Sequence, residues 1–255
     1  MLLMPETGIF LNRLYAQMEP SAKNRRVVDL RLGLSYVGVK LDSGTTGIAA
    51  VLPDISHRGC TDLKEAGTYT GAEAQHLIKY LLESKSSLHL SIGLALANAL
   101  VKLPVDTHED REATTCFNLK PGEKVAMVGL FAPLVERIRA TGANLTIIEK
   151  NPARIDLLSD KEKKQALKEC DVAIITATTL LNNTCEETLA MLGRPRIVAL
   201  MGPSTPLVPE IFSGTQVNHL GGAIVTNAQR VLQIISEGGG TPALRSYLRF
   251  VNMKC

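Results

Sequence analysis

Four short runs constrain the fold of this chain more than any other feature: KVAMVG (124–129), NLTIIE (144–149), DVAIITA (171–177) and RIVALMG (196–202). Each is apolar almost without interruption, which is how a strand buried on both faces reads, and each is followed by a loop and a helical pattern. Alternation of strand and helix with right-handed crossovers builds a doubly wound, mainly parallel sheet. Ligands of such sheets lie beyond the carboxyl ends of the strands, near the point where the strand order reverses. The residues just after each run are therefore the first candidates for function.

The first run leads into Gly129, Leu130, Phe131, Ala132 and Pro133. Gly129 permits a tight bend, and Pro133 suits a first helical turn. Phe131 and Pro133, however, remove the close backbone approach and the free N–H that a pyrophosphate needs, so ordinary NAD binding is not expected. Glu149 lies 20 residues beyond Gly129, the separation at which a dinucleotide fold places an acid on a ribose hydroxyl. Read equally well, it is a carboxylate facing water at a strand end. The unit reads as a half-site for a mononucleoside-like or pterin-sized ligand, with Phe131 as a wall.

After the third run, TATTLLNNT (176–184) concentrates Thr and Asn, and after the fourth, GPSTP (202–206) offers Ser204 and Thr205 between two prolines. NHLGGA (218–223) is a further loop candidate. Hydroxyls and amides there can hold a ligand's polar edge, or can simply cap helices. Thr184 with Glu187, and Thr226 with Gln229, have capping-box spacing.

Upstream the order is strands, then helices, as in α+β modules. Residues 9–19 form one amphipathic helix ended by Pro20, and VVDLRLGLSYVGVKL (27–41), DSGTTG (42–47) and IAAVLP (48–53) read as an antiparallel pair with a Gly-rich turn. That turn is first an ordinary hairpin loop and second a loop reaching into a cleft. GAEAQHLIKYLLES (71–84) and SSLHLSIGLALANALV (86–101) are two helices, the second carrying Asn98 in an apolar run, where it needs a partner if buried. Residues 104–116 lack periodicity and read as a linker. The expected division is an α+β domain over 1–105, a linker over 106–118, and a second domain over 119–255.

Composition narrows the classes of function. With 45% hydrophobic and 21% charged residues the chain reads as soluble and globular; 4% aromatic content without Trp, and a charge of only +3, argue against a nucleic-acid surface. No apolar stretch is long enough for a membrane span and no export signal is evident, so a cytoplasmic protein is expected. Five dispersed cysteines with no CxxC pair suit a reducing compartment and speak against a Cys-based zinc site. His57 and Cys60 in HRGC have a spacing compatible with a soft metal, yet one HxxC is read as no site, and His76, His89, His108 and His219 form no spaced pair.

KVAMVGLFAPLVERIR, LTIIEKNP, DVAIITATTLLNNT, MGPSTPLVPEIF and SEGGGT, with IGLALANAL upstream, together resemble the bacterial and archaeal family known as putative heavy-metal chelation. The resemblance covers nearly the whole chain. It implies an enolase N-terminal-like α+β domain followed by a Rossmann-like domain, with a site in the cleft between them. It points to Gly129, Phe131, Glu149, Thr178, Thr179, Asn182, Gly202, Pro203, Ser204, Thr205 and Asn98 as ligand-binding residues. The implied activity is condensation or hydrolysis of a pterin-, flavin- or siderophore-like molecule in metal-chelator or cofactor metabolism. No cofactor, catalytic residue or metal ligand is assigned by it. Two rival readings are an S-adenosylmethionine-dependent methyltransferase, with Glu149 on the ribose, and a non-catalytic metal or metallophore carrier using His57 and Cys60. A homodimer is the default assembly for a metabolic protein of this kind.

Overall fold

In the computed structural model, residues 8–52, 61, 63–84, 86–102 and 116–255 are described. Helix α1 (Ile9–Ala22) precedes three strands, β1 (Val27–Leu32), β2 (Tyr36–Leu41) and β3 (Thr46–Ala50), which form an antiparallel sheet in the order β1-β2-β3. A short helix, α2 (Ala74–Leu77), runs into a 3₁₀ turn and is followed by α3 (Ser87–Leu100). The second sheet contains β4 (Lys124–Val128), β5 (Asn144–Ile148), β6 (Val172–Thr176), β7 (Ile197–Met201), β8 (His219–Val225) and β9 (Leu248–Lys254). Its order is β5-β4-β6-β7-β8-β9, parallel except for the β8–β9 pair. The fold is thus mixed α/β, with a mainly parallel six-stranded sheet and a small antiparallel one.

The four apolar runs are β4 to β7, and their burial on both faces has a simple cause. Val125, Met127, Val172, Ile174, Ala199 and Met201 fall in one core cluster with Phe117 and Ile138. The alternate residues Ala126, Ala173, Ile175, Val198 and Leu200 fall in another, which also contains Leu14, Val39, Leu94 and Leu96 from the first module. Successive side chains of a strand point to opposite faces, so one face of the parallel sheet belongs to a core that the two modules share.

The modules are fastened by specific contacts as well. The Phe10 and Phe212 rings sit 5.0 Å apart, and the Arg13 guanidinium donates to the carbonyls of Ile211 and Ser213, each at 2.9 Å. On the far side of the small sheet, the helix Ala228–Ser236 presses Leu232 and Ile235 onto Gly38; a Cβ there would lie 2.7 Å and 2.9 Å from their methyl groups. On its near side α3 crosses β3 at Gly47, where a Cβ would meet the carbonyl oxygen of Ala95 at 2.2 Å. The absence of that side chain brings the end of α3, with Asn98, against the strand.

Several local expectations need correction. Pro20 lies inside α1, not beyond its end; lying in the last turn, it removes only the one bond that its own N–H would have made. The stretch 27–41 is two strands, broken at Gly33–Ser35, where the Gly33 N–H bonds the Tyr36 carbonyl at 2.9 Å and Leu34 turns out to 83% exposure. NHLGGA is not a loop but largely β8, with Gly221 and Gly222 packed closely under Met201 and Leu207. Neither expected capping box forms: Thr184 caps without a side-chain bond, and the helix Ala228–Ser236 is capped by Asn227, which accepts from the Arg230 N–H at 3.1 Å. The capping box that does form pairs Ser159 with Glu162.

Candidate functional site

The residues predicted to bind a ligand separate into two groups, joined by the loop that follows β7. The first group surrounds the turn after β4. Gly129 takes φ +84°, and a Cβ on it would lie 2.8 Å from Thr176, so the turn is tight for both reasons. The next two N–H groups are already engaged: Leu130 donates to the Glu149 carboxylate at 3.2 Å and Phe131 toward the Met127 sulfur at 3.5 Å. These two N–H groups of the turn are thus engaged by its own neighbours.

Glu149 completes this closure. One carboxylate oxygen accepts from the N–H groups of Lys150 and Asn151 at 2.7 and 3.2 Å, and the other accepts from Leu130 and from the Arg154 guanidinium at 2.8 Å. Arg154 also donates to the Leu130 carbonyl at 3.0 Å. Burial alone would raise the Glu149 pKa; the backbone N–H bonds of Lys150, Asn151 and Leu130 and the charge of Arg154 outweigh it and lower the value. A carboxylate has about four lone-pair sites, and all of them are used here. A ribose hydroxyl would have to displace one of these donors.

Beside this turn, the Thr176 and Thr178 hydroxyls lie 3.0 Å apart, and Thr179 donates to the Thr176 carbonyl at 2.7 Å. Asn182 accepts from the Thr184 hydroxyl at 2.6 Å. Gly202, at φ +117°, faces Phe131, since a Cβ on it would lie 3.8 Å from that ring. Pro203 follows, and the chain then crosses to the other module.

The second group lies at that crossing. Ser204 and Thr205 are each only 2% exposed. The Ser204 hydroxyl accepts from the Ala50 N–H at 2.8 Å, so it closes the end of β3 rather than presenting itself to a ligand. Asn98 donates through its amide nitrogen to the Ile48 carbonyl at 2.9 Å and to the Ser204 carbonyl at 3.3 Å. Next to these contacts is a half-open cavity of about 240 Å³, lined from the first module by Thr45, Thr46, Asn98, Ala99 and Val101. From the second module Thr205, Leu207, the end of β8 and Arg249 complete it.

Three residues of this lining carry buried side-chain oxygens with no hydrogen-bond partner: Thr46 Oγ1, Asn98 Oδ1 and Thr205 Oγ1. Buried polar atoms are paired in the great majority of cases, so three at one cavity need a reason. The guanidinium of Arg249, exposed at the start of β9, has no hydrogen-bond or ion-pair partner among the described residues.

Of the predicted residues, Asn98 and Thr205 line this cavity and Ser204 bonds Ala50 and Asn98 beside it; Gly129, Phe131, Glu149, Thr178 and Gly202 gather around the β4 turn. The sequence reading missed Thr46 and Arg249. The second-choice reading of DSGTTG, a loop reaching a cleft, had pointed toward Thr45 and Thr46; Arg249 was hidden because β9 was not recognised, its apolar pairs Tyr247–Leu248 and Phe250–Val251 breaking the alternation that marks a strand.

For metals, the described residues contain no group of three or more His, Cys, Asp or Glu able to hold an ion. Burial pushes the thiols of Cys170 and Cys185 up to about 11 and about 12. His57 and Cys60 lie outside the described residues. No helix among the described residues is long and apolar enough to cross a membrane.

The fold is a mixed α/β one, with a cavity of about 240 Å³ where an antiparallel sheet and its helix meet the carboxyl edge of a parallel sheet. Two family models match, over residues 15–101 and 112–254, and both carry the description putative heavy-metal chelation; the chain belongs to this family. An uncharacterized protein of Methanocaldococcus jannaschii is 24% identical over 215 residues, which is 81% of this chain and 82% of the relative. A crystal structure of a protein of unknown function from Pyrococcus horikoshii matches with a TM-score of 0.81 at 22% identity, covering 96% of this chain and 100% of the other. One from Desulfitobacterium hafniense, also of unknown function, matches with a TM-score of 0.76 at 21% identity, covering 96% and 98%. These likenesses establish the fold.

Proposed function

We propose that this chain binds a small, polar or anionic metabolite in the cavity between its modules, in the context of metal-chelator or cofactor metabolism that its family description suggests. The observation that carries this reading is the gathering of three unpartnered buried oxygens and an unpaired arginine around one space contributed by both modules. Each unpaired buried oxygen costs on the order of 1–3 kcal/mol. Three at one place are better accounted for by a ligand that pairs them than by folding alone.

Size supports a compact ligand. The cavity, at about 240 Å³, falls below the roughly 300–1,000 Å³ of drug-sized pockets, so it suits a molecule no larger than a pterin rather than a flavin nucleotide or S-adenosylmethionine. The saturated carboxylate of Glu149 also leaves the methyltransferase reading without its ribose acceptor. In this reading Thr46, Asn98, Thr205 and Arg249 hold the ligand. Ser204 locks the two modules around it, and the turn of Gly129, Phe131 and Gly202 supports the loop that carries Ser204.

The test is a melting-temperature screen of polar metabolites against the wild-type protein and Arg249→Gln. Because the Arg249 guanidinium makes no hydrogen bond or ion pair with another described residue, the variant is expected to fold normally while losing the shift produced by the true ligand. Hits that shift Arg249→Gln and Thr205→Val as much as wild type bind elsewhere, and the reading is then wrong.

A further inference from the structure

The cavity's hydrogen-bonding groups have a definite polarity, and it specifies more than the presence of a ligand. Asn98 is the informative residue. Its amide nitrogen faces two carbonyl oxygens, of Ile48 and Ser204. Turning the amide over would set its oxygen against both, so the orientation is determined by its neighbours. The oxygen that remains is a pure acceptor, buried and without a donor. It can be satisfied only by an O–H or N–H.

Arg249, exposed at the rim, offers the opposite complement. A guanidinium has five N–H donors, no acceptor and a permanent charge, and its planar fork matches a carboxylate. The Thr46 and Thr205 hydroxyls can serve as donor or acceptor by rotation and so adapt to either end. The rest of the described lining is uncharged, with Val101, Leu207, Ile224 and Val225 supplying apolar surface. Arg249 therefore leaves one positive charge unmatched. A bare metal cation meets no carboxylate, thiolate or imidazole in this lining, and an ammonium group would meet no counter-charge.

We infer that the ligand is a hydroxycarboxylic acid of net charge −1 with a short apolar body: its hydroxyl donates to Asn98 Oδ1, its carboxylate pairs with Arg249, and its carbon chain lies against Leu207 and Val225. This rests on the proposed function, of which it specifies the ligand class. A plain carboxylate leaves the buried Asn98 oxygen unpaired, and a plain alcohol makes no use of the Arg249 charge.

The experiment compares six-carbon probes by ligand-observed NMR titration of the full chain: 2-, 3- and 6-hydroxyhexanoate, hexanoate, 6-aminohexanoate and 1,6-hexanediol. At least one hydroxyhexanoate is expected to bind tenfold or more tightly than hexanoate, 6-aminohexanoate and the diol. In Arg249→Gln its affinity should fall to that of the diol, while the diol is unaffected. Thr205→Val, which keeps the shape of the side chain, should weaken the hydroxy acid a few-fold. Equal binding of hexanoate or of the diol overturns the inference. So does failure of every hydroxy acid while a metabolite of other chemistry, found in the melting screen, still requires Arg249; the proposed function then stands without it. If no probe and no screened metabolite depends on Arg249, both fall together.

Discussion

Ser204 and Thr205 are adjacent, carry hydroxyls, and are equally buried at 2% exposure, yet removing the two hydroxyls should move stability in opposite directions. The Ser204 hydroxyl is the acceptor for the Ala50 N–H at 2.8 Å, the last residue of β3. Ser204→Ala strands that N–H at the junction of the modules, and the loss should be about 1–3 kcal/mol. The Thr205 hydroxyl has no partner. Thr205→Val keeps the volume, removes a desolvated group that gains nothing in the free protein, and should be neutral or stabilising by up to about 1 kcal/mol. Urea unfolding followed by circular dichroism measures both, provided the slopes agree with wild type. For a chain of this length about 1 kcal/mol corresponds to roughly 2–4 °C in Tm. A Thr205→Val loss of more than about 1 kcal/mol would refute the reasoning, because the hydroxyl would then have a partner and one of the three reasons for a ligand would disappear. A neutral Ser204→Ala would equally show that the bond between the modules contributes nothing.

Two further expectations concern packing and charge. At Gly47 a Cβ would lie 2.2 Å from the Ala95 carbonyl oxygen and 2.3 Å from the Ala99 nitrogen, both backbone atoms that cannot rotate aside. Gly47→Ala should therefore force α3 from β3 and cost about 3 kcal/mol; Gly44→Ala, in open space at φ +86°, should cost only about 1–2 kcal/mol of backbone strain. Equal losses in urea unfolding would contradict this. Glu123 grips the Arg196 guanidinium with bonds of 2.7 and 2.8 Å, and that bonding draws its pKa down from 4.5 to about 2. A depressed carboxylate stabilises the fold above its unfolded pKa and loses that contribution as pH falls through its folded one. The wild-type advantage over Glu123→Gln should be fully present above pH 4.5 and vanish toward pH 2; after screening of the partly exposed Arg196 it should amount to about 1 kcal/mol. An advantage that grows on acidification would refute the pairing.

The legibility of this chain depended on how local each signal is. β4 to β7 were readable because a strand buried on both faces must be apolar at every position, whatever it packs against. The poor pyrophosphate cradle was readable too, because a bulky side chain at Phe131 and a missing N–H at Pro133 act within their own turn. β9 was not read: as an antiparallel edge strand it carries Arg249 and Lys254 among Leu248, Phe250 and Val251, a mixture compatible with loop or helix end. Glu149 was located correctly at the end of β5, but its four bonds come from a turn and an arginine that only the folded loop assembles.

The sequence by itself determined the strand-helix alternation from β4 to β7, the parallel core and the family, since these follow from the periodicity of apolar residues and from motifs continuous along the chain. The tertiary structure alone decided which polar residues are spent on folding and which remain available. Ser204 and Thr205 are chemically alike in the sequence; one is consumed by the Ala50 N–H and the other is left unpaired beside Asn98 and Arg249. That difference arises because a hydrogen bond is satisfied by whatever lies within about 3 Å in space, and the groups that meet here are far apart in the chain: Ser204 lies 154 residues from Ala50 and 106 from Asn98.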